Sequence, residues 1–326
     1  MDFEKSASET PKPLPQVPGP KLKPFTPTAH ADIEFIKELG NPAVDMDAFV
    51  WKVRINGKTP YYALKMFRFN NPKYLRRTVG GDLNCLLASP QLYLDFFDPF
   101  NCECRAYGRL ADEGRQDLAI QAHGYLLLTP EQESEVAKRC SGMGSDDESD
   151  GNDFWRWMDE HYKLPVHAIV KTLADDHLPF TPEQLGDVWR DLEDLHKLGI
   201  LVRDIKIGNY LGGKLVDFSR SWTMPHPSLE HIHPVELRDQ RQRDPDGLEM
   251  SIIDWGIGNR WNWDEVVIPE ELQACAAGKS QNGRYGNDPR LYDWRKWEED
   301  LDAVDTFLEH ELYAQPEPEA GEDGEE

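Results

Sequence analysis

The sequence lacks several features that would assign the chain to common classes of protein. It has no run of 18 apolar residues, so no segment is expected to span a membrane. Its first 24 residues lack the apolar stretch of a secretory signal. The five cysteines form no C-x-x-C pair, and this odd, irregular set favours a reducing, intracellular compartment. Cys102 and Cys104 are therefore expected to be free thiols rather than zinc ligands.

Basic residues are also scarce. Lys and Arg number 36 against 60 Asp and Glu, which gives a formal net charge of −24. Direct nucleic-acid binding is not expected, because it needs a basic surface that replaces counterions. Residues 145–153 carry five acids and residues 317–326 carry six, and both segments are predicted to be disordered. Each could contact a basic partner, but a solubilising role is favoured.

What the sequence does contain is one domain with tails. Residues 1–30 hold seven prolines and are predicted to form a flexible tail, and a second disordered tail is predicted at 315–326. The domain between them, 31–314, is predicted to be interrupted by an acidic loop at 141–153. Alternating apolar residues and turn signals predict strands at 47–53, 61–69, 125–128, 167–173 and 251–256, and a helix at 103–110.

The clearest helix is predicted over 181–198. Thr181 can cap it, Pro182 suits its first turn, and Gln184 follows the cap by three residues. Apolar residues then recur at helical spacing, and Gly199 can end the helix. A short apolar strand is predicted at 200–202.

A tight hairpin is predicted after that strand. With Gly212 and Gly213 as a two-residue turn, Leu211 pairs with Lys214. The same register places Asn209 opposite the residue before Asp217, so both side chains lie at the open end of the hairpin. An amide and a carboxylate oxygen are ligands suited to Mg²⁺.

The residues around this hairpin follow the pattern of a phosphoryl-transfer site. Asp204, Lys206 and Asn209 form D-x-K-x-x-N, and Asp217 begins the sequence Asp-Phe-Ser. In such sites one aspartate orients a hydroxyl nucleophile, a lysine stabilises the moving phosphoryl group, and an asparagine and a second aspartate hold Mg²⁺. The alternative is an ordinary polar loop, but helix, strand, loop, turn and Asp-Phe rarely occur in this order by chance.

The segment that contains these residues resembles the catalytic and metal-binding loops of the protein-kinase fold. The resemblance implies an α+β, two-lobed, protein-kinase-like domain that binds ATP and Mg²⁺. It divides the chain into a small β-rich lobe at about 31–173 and a helical lobe at about 174–314. The second lobe is expected to be shortened, because little chain follows Asp217.

The resemblance also implies an upstream nucleotide site. Lys65 ends an A-x-K sequence on a predicted strand, as does the lysine that pairs with the α- and β-phosphates in that fold. Its partner should be a glutamate on a following helix, and Glu103 is the one glutamate between residues 66 and 112. Gly40 is the one glycine where a glycine-rich phosphate loop is expected. Surface positions for Lys65 and Glu103 are the alternative.

A narrower resemblance links the chain to a family of fungal proteins. Three segments carry it: ECRAYGRL, LEDLHKLGILVRD and RDIKIGNYLGGKLVDFSRSWTMPHP. They are similar to kinetochore proteins of the Sim-type complex, subunit Fta-two, over residues 33–230. This resemblance implies protein partners at the kinetochore and a nuclear location.

The sequence departs from the protein-kinase motifs at several positions, and these departures keep three functions open. Val202 replaces a histidine, Ser219 replaces the glycine of D-F-G, and no G-x-G-x-x-G sequence occurs. The main hypothesis is an ATP-dependent transfer to a Ser or Thr hydroxyl. The first alternative is a non-catalytic pseudokinase serving as a kinetochore subunit, and the second is a small-molecule kinase, which Lys206 disfavours. Asp254-Trp255-Gly256 resembles D-F-G, but no D-x-K-x-x-N lies at the matching distance before it, and it is interpreted as a strand end.

Overall fold

A computed structural model describes residues 14–26, 31–40, 47–79, 86–141, 155, 164–174, 178–259 and 287–314. The predicted acidic segment and acidic tail, apart from the first residue of the loop, lie outside these residues. The described part of the chain is a mixed α+β structure with one five-stranded sheet. No helix within it is both long enough and apolar enough to cross a membrane.

The five-stranded sheet is antiparallel throughout. Its order is β1-β2-β3-β5-β4. The four strands predicted in this part of the chain are confirmed, and β1 adds a fifth. The strands are β1 (Ile33–Glu38), β2 (Ala48–Ile55), β3 (Lys58–Phe67), β4 (Ala122–Leu127) and β5 (His167–Thr172).

Four helices connect to this sheet. They are α1 (Pro72–Val79), α2 (Pro90–Phe97), α3 (Pro99–Asp112) and α4 (Pro130–Ser141). The predicted helix at 103–110 is confirmed within α3, which Asp98 caps by accepting a hydrogen bond from the Phe100 N–H. Eleven of the 14 residues of α3 are buried, so this helix packs on nearly every side.

The residues described after β5 contain helices and four two-residue strands. The capping box at Thr181 and Gln184 is confirmed, and it precedes a 3₁₀ turn (Pro182–Gln184) and α5. Short antiparallel pairs join β6 with β9 and β7 with β8. The elements are α5 (Leu185–Lys197), β6 (Ile200–Leu201), β7 (Tyr210–Leu211), β8 (Lys214–Leu215), β9 (Trp222–Thr223), α6 (Pro227–Glu230), α7 (Pro234–Asn259) and α8 (Leu301–Thr306).

The strand predicted at 251–256 is wrong, because these residues belong to α7. Leu248, Ile252 and Trp255 are buried at the i, i+4, i+7 spacing of one helix face, whereas Asp254 is exposed. A short apolar run does not by itself distinguish a buried strand from a helix. The Asp254 sequence is therefore part of a helix and not a strand end.

The prediction of a flexible tail over 1–30 is wrong for residues 14–26, which we call the N-terminal strap. The Leu22 N–H donates to a carbonyl of α3 (3.0 Å), and the Phe25 N–H donates to a carbonyl of β4 (2.8 Å). Both side chains are buried. Apolar residues spaced between the prolines thus supply enough contacts to order an extended segment, which composition alone did not indicate.

Two features of α3 accommodate the N-terminal strap. A Cβ atom on Gly108 would lie 2.5 Å from the backbone nitrogen of Lys21, so only glycine allows this approach. The buried Arg105 donates to the carbonyl of Pro18 in the strap (2.9 Å) and to that of Pro225 after β9 (2.5 Å). The strap and the segment after β9 are therefore joined through α3.

Candidate functional site

A cavity of about 1010 Å³ lies between the sheet and the β7–β8 hairpin. Strands β2, β3 and β5 contribute to one side of it, and the loop before the hairpin contributes to the other. Glu103 lies behind the cavity wall on α3. The other six predicted site residues all line the cavity: Gly40, Lys65, Asp204, Lys206, Asn209 and Asp217.

Lys65 and Glu103 form the ion pair that the kinase resemblance implies. Lys65 Nζ lies 2.9 Å from Glu103 Oε2. Both side chains are buried, and that of Glu103 is completely inaccessible. Strand β3 and helix α3 thus present opposite charges to each other in the interior, where an unpaired charge would be costly.

The ammonium group of Lys65 has two further partners. It lies 2.8 Å from Asp217 Oδ1 and donates a hydrogen bond to Ser219 Oγ (2.8 Å). The Ser219 N–H donates to the same Asp217 oxygen (2.7 Å). The serine that replaces glycine in this turn therefore links Asp217 to Lys65.

Both members of the Lys65–Asp217 pair are charged. Burial alone would raise the pKa of Asp217, but Lys65 and Lys171 outweigh it and hold this pKa below its ordinary value. Burial alone would lower the pKa of Lys65, but Asp217 and Glu103 keep it raised. Asp217 is therefore an ionised carboxylate, the form required of a metal ligand.

The D-x-K-x-x-N residues form a second hydrogen-bonded group. Lys206 Nζ lies 2.8 Å from Asp204 Oδ2, and the Asn209 amide nitrogen donates to the Asp204 carbonyl (2.8 Å). The side chains of Asp204 and Lys206 are 38% and 60% exposed, so a substrate from solvent can reach them. With its nitrogen bonded to Asp204, Asn209 has its amide oxygen available to a cation.

The predicted hairpin register is confirmed. Leu211 pairs with Lys214 across the turn, and the Val216 N–H donates to the Asn209 carbonyl (2.8 Å). Gly212 and Gly213 have φ angles of 56° and 77°, as a type I′ turn requires. Asn209 and the residue after Val216 therefore lie at the open end of one hairpin.

The backbone before Asp204 is fixed from α7. The buried Asp244 accepts hydrogen bonds from the N–H groups of Val202 (2.8 Å) and Arg203 (2.6 Å). His196 Nε2 lies 2.8 Å from the same carboxylate. Sequence analysis showed that Val202 stands where a histidine is expected. It did not show that Asp244 of α7 binds the backbone at this position.

Gly40 lies two residues after β1 and lines the cavity. Residues 41–46, which complete the predicted phosphate loop, lie outside the described residues. Asp47 also lines the cavity and forms an ion pair with Arg220 (2.6 Å), which joins the start of β2 to the turn after Asp217.

Sequence reasoning missed Lys171 on β5. Its side chain is buried, forms an ion pair with Glu103, and donates to the Val216 carbonyl (2.7 Å). The available signal was a lysine within the apolar run of a predicted strand, a position where a charge needs a buried partner. Glu103 thus lies between two lysines rather than one.

The arrangement suits an anionic phosphate ligand with a divalent cation. Asp217 and Asn209 supply oxygen donors of the kind Mg²⁺ prefers, and Mg²⁺ usually keeps water and phosphate oxygens as its other ligands. Among the described residues, no three His, Cys, Asp or Glu side chains form a metal-binding group. A cation here would therefore depend on ligand oxygens as well as on protein.

Comparison with protein-family models gives a match over about two thirds of the chain. Residues 10–222 match the model of a family described as kinetochore Sim4 complex subunit FTA2. The matched range begins before the N-terminal strap and ends in β9, so it includes every residue of the candidate site. No curated protein matches the chain.

Proposed function

We propose that this chain, which belongs to the family of the kinetochore Sim4 complex subunit FTA2, acts as a subunit of a kinetochore complex. The match over residues 10–222 is the observation that carries this proposal. A subunit of such a complex works through contacts with other proteins and is located in the nucleus. This function depends on protein contacts at the surface and does not require a ligand in the cavity.

A tagged chain expressed in its own host is expected to form foci that overlap a centromere marker. It is also expected to copurify with other kinetochore subunits. The control is an unrelated nuclear protein with the same tag at the same level. An even nuclear distribution, without kinetochore subunits in the purified material, would contradict the proposed role.

A second function rests on the cavity. We propose that the domain has a two-lobed, protein-kinase-like fold and binds Mg·ATP between the sheet and the β7–β8 hairpin. The contact of Lys65 with both Glu103 and Asp217 supports this proposal, because active kinases require the corresponding lysine–glutamate pair and metal-binding aspartate. The exposed Asp204 and Lys206 add groups that could serve transfer to a hydroxyl.

The proposed roles follow from the chemistry of each group. Asn209 and Asp217 would hold Mg²⁺, which offsets phosphate charge when bound. Lys65 would bind phosphate oxygens. Asp204 would orient or accept the proton of a Ser or Thr hydroxyl, and Lys206 would stabilise developing negative charge.

Mg·ATP is expected to raise the melting temperature of the wild-type protein by several degrees. A ligand at 100 times its Kd stabilises the folded state by about 2.7 kcal/mol. The rise should be absent in Lys65→Met, which lacks the phosphate-binding charge but leaves Glu103 paired with Lys171. The measurement is a thermal melt with and without millimolar Mg·ATP.

Lys58→Met is the matched control. Lys58 begins the same strand as Lys65 but is exposed and outside the cavity lining. Its variant should keep the full ligand-induced rise. An unchanged wild-type melting temperature at millimolar Mg·ATP would exclude nucleotide binding and leave the protein-contact function alone.

A further inference from the structure

The N-terminal strap places one buried apolar side chain in each of three hydrophobic clusters. Val17 packs in the cluster that contains Trp222 of β9. Leu22 packs in the cluster that contains residues of α3 and α5, and Phe25 packs in the cluster of the five-stranded sheet. The strap therefore connects the sheet with the part of the chain after β5.

The strap lies on the face of α3 that is turned away from Glu103. Successive helical residues differ by about 100° around the axis, so Arg105 and Gly108 lie about 160° and 140° from Glu103. These two residues contact the strap, since Arg105 donates to one of its carbonyls (2.9 Å) and Gly108 lies against the Lys21 backbone. Helix α3 is thus held between the strap and the buried lysines that pair with Glu103.

Backbone hydrogen bonds of the strap join α3 to the sheet. The Leu22 N–H donates to the carbonyl of Cys104, the residue after Glu103 (3.0 Å). Three residues later, the Phe25 N–H donates to the Tyr125 carbonyl of β4 (2.8 Å), and the Tyr125 N–H donates back to the strap (3.1 Å). One short extended segment therefore bonds to both elements.

The buried arginines of α3 make different connections. Arg105 and Arg109 donate to carbonyls of residues 223–225, which do not belong to the five-stranded sheet. Both lysine partners of Glu103 lie on strands of that sheet. The strap thus adds a backbone connection between α3 and the sheet that the arginines do not provide.

We propose that the N-terminal strap is a clamp that positions α3 against the five-stranded sheet and so keeps Glu103 in contact with Lys65. The effect on nucleotide affinity rests on the proposed Mg·ATP function, because that function requires the lysine–glutamate pair. The effect on α3 is independent of nucleotide and is measured without it.

Gly108→Ala is the first test, because its Cβ would lie 2.5 Å from the Lys21 nitrogen of the strap. Alanine favours a helix more than glycine does, so a loosening of α3 would come from release of the strap. We expect the amide hydrogens of the strap and of α3 to exchange roughly tenfold faster, while those of α5 stay protected. Mass spectrometry of the nucleotide-free full-length chain measures this exchange.

Gly186→Ala is the matched control. Gly186 lies in α5, and a Cβ atom there would meet none of the described residues within 4 Å. This variant makes the same change in a helix without disturbing the strap. Exchange in the strap and in α3 should remain as in the wild type.

Phe25→Asp releases the strap without altering α3. It places a charge in the apolar cluster of the sheet, where burial of an unpaired charge is unfavourable. We expect the same faster exchange in the strap and in α3. Thr26→Asp, at the adjacent exposed position, is its control and should leave both protected.

The second measurement is Mg·ATP affinity at a temperature where each variant is fully folded. Gly108→Ala and Phe25→Asp should weaken binding roughly tenfold, and the two controls should not. A strap with a purely structural role would lower the melting temperature of these variants and leave their affinity unchanged.

Several results would overturn the proposal. Fast exchange in the strap with full protection of α3 would show that the strap only covers the helix. A strap that stays protected in both variants would show that these contacts do not hold it. Equally fast exchange in α5 would show that the strap is needed for the whole fold and not for α3 in particular.

The clamp and the nucleotide function fail in different ways. If α3 loosens but Mg·ATP affinity is unchanged, the link from the strap to Glu103 is overturned and the nucleotide function stands. If the wild type does not bind Mg·ATP, the nucleotide function fails. The exchange measurements then decide by themselves whether the strap positions α3.

Discussion

Asp244→Ala is expected to lower the free energy of unfolding by roughly 3–5 kcal/mol. The carboxylate of Asp244 is completely buried and accepts hydrogen bonds from the backbone N–H groups of Val202 and Arg203. His196 is its third partner. Alanine would leave these groups buried without an acceptor, which costs far more than the lost contacts alone. Urea-induced unfolding measures the change.

Asp254→Ala is the matched control on the same helix. Asp254 is exposed, and its loss should change the free energy of unfolding by no more than about 0.5 kcal/mol. Asp244→Asn keeps one acceptor oxygen and should give an intermediate loss. Equal effects of Asp244→Ala and Asp254→Ala would show that α7 does not stabilise the loop before Asp204.

The features that the sequence predicted well are local ones. The β7–β8 hairpin follows from two adjacent glycines, which fix the register and bring Asn209 next to Asp217 within nine residues. The capping box before α5 likewise depends on residues three positions apart. In both cases the interacting groups are close in sequence, so propensity and spacing alone determine the geometry.

The features that the sequence missed are long-range contacts. Lys171 and Glu103 are 68 residues apart, Asp244 and Val202 are 42 apart, and Arg105 reaches a strap carbonyl 87 residues away. Nothing near any of these residues in sequence identifies its partner. The Lys65–Glu103 pair could be predicted despite its long separation in sequence. A family resemblance implied the pairing, and only one glutamate lay in the expected range.

The error at 251–256 has a different cause. The segment is short and apolar, and its helical periodicity becomes visible when Leu248 is included. The N-terminal strap was missed because its composition is that of a disordered tail. Its order comes from surfaces on α3 and β4 that it covers, and those surfaces do not exist until the domain has folded.

Asp204→Asn is expected to reduce phosphoryl transfer by roughly 10²–10⁴-fold while leaving Mg·ATP affinity unchanged. The substitution keeps the size of the side chain but removes the charge that would orient a hydroxyl. Asp204 is not among the partners of Lys65, so phosphate contacts should persist. The measurements are phosphate transfer from labelled ATP and nucleotide affinity, made on the same preparations.

Asp217→Asn provides the contrasting variant. It removes a carboxylate that contacts Lys65 and would hold Mg²⁺, so both transfer and Mg-dependent affinity should fall. Equal turnover by wild type and Asp204→Asn would exclude a catalytic role for Asp204. Wild-type binding without any transfer, lost in Asp217→Asn, would instead fit a kinetochore subunit whose nucleotide has a structural role. Because Asp204 pairs with the exposed Lys206 whereas Asp217 pairs with the buried Lys65, one pair of variants can distinguish an enzyme from a nucleotide-binding scaffold.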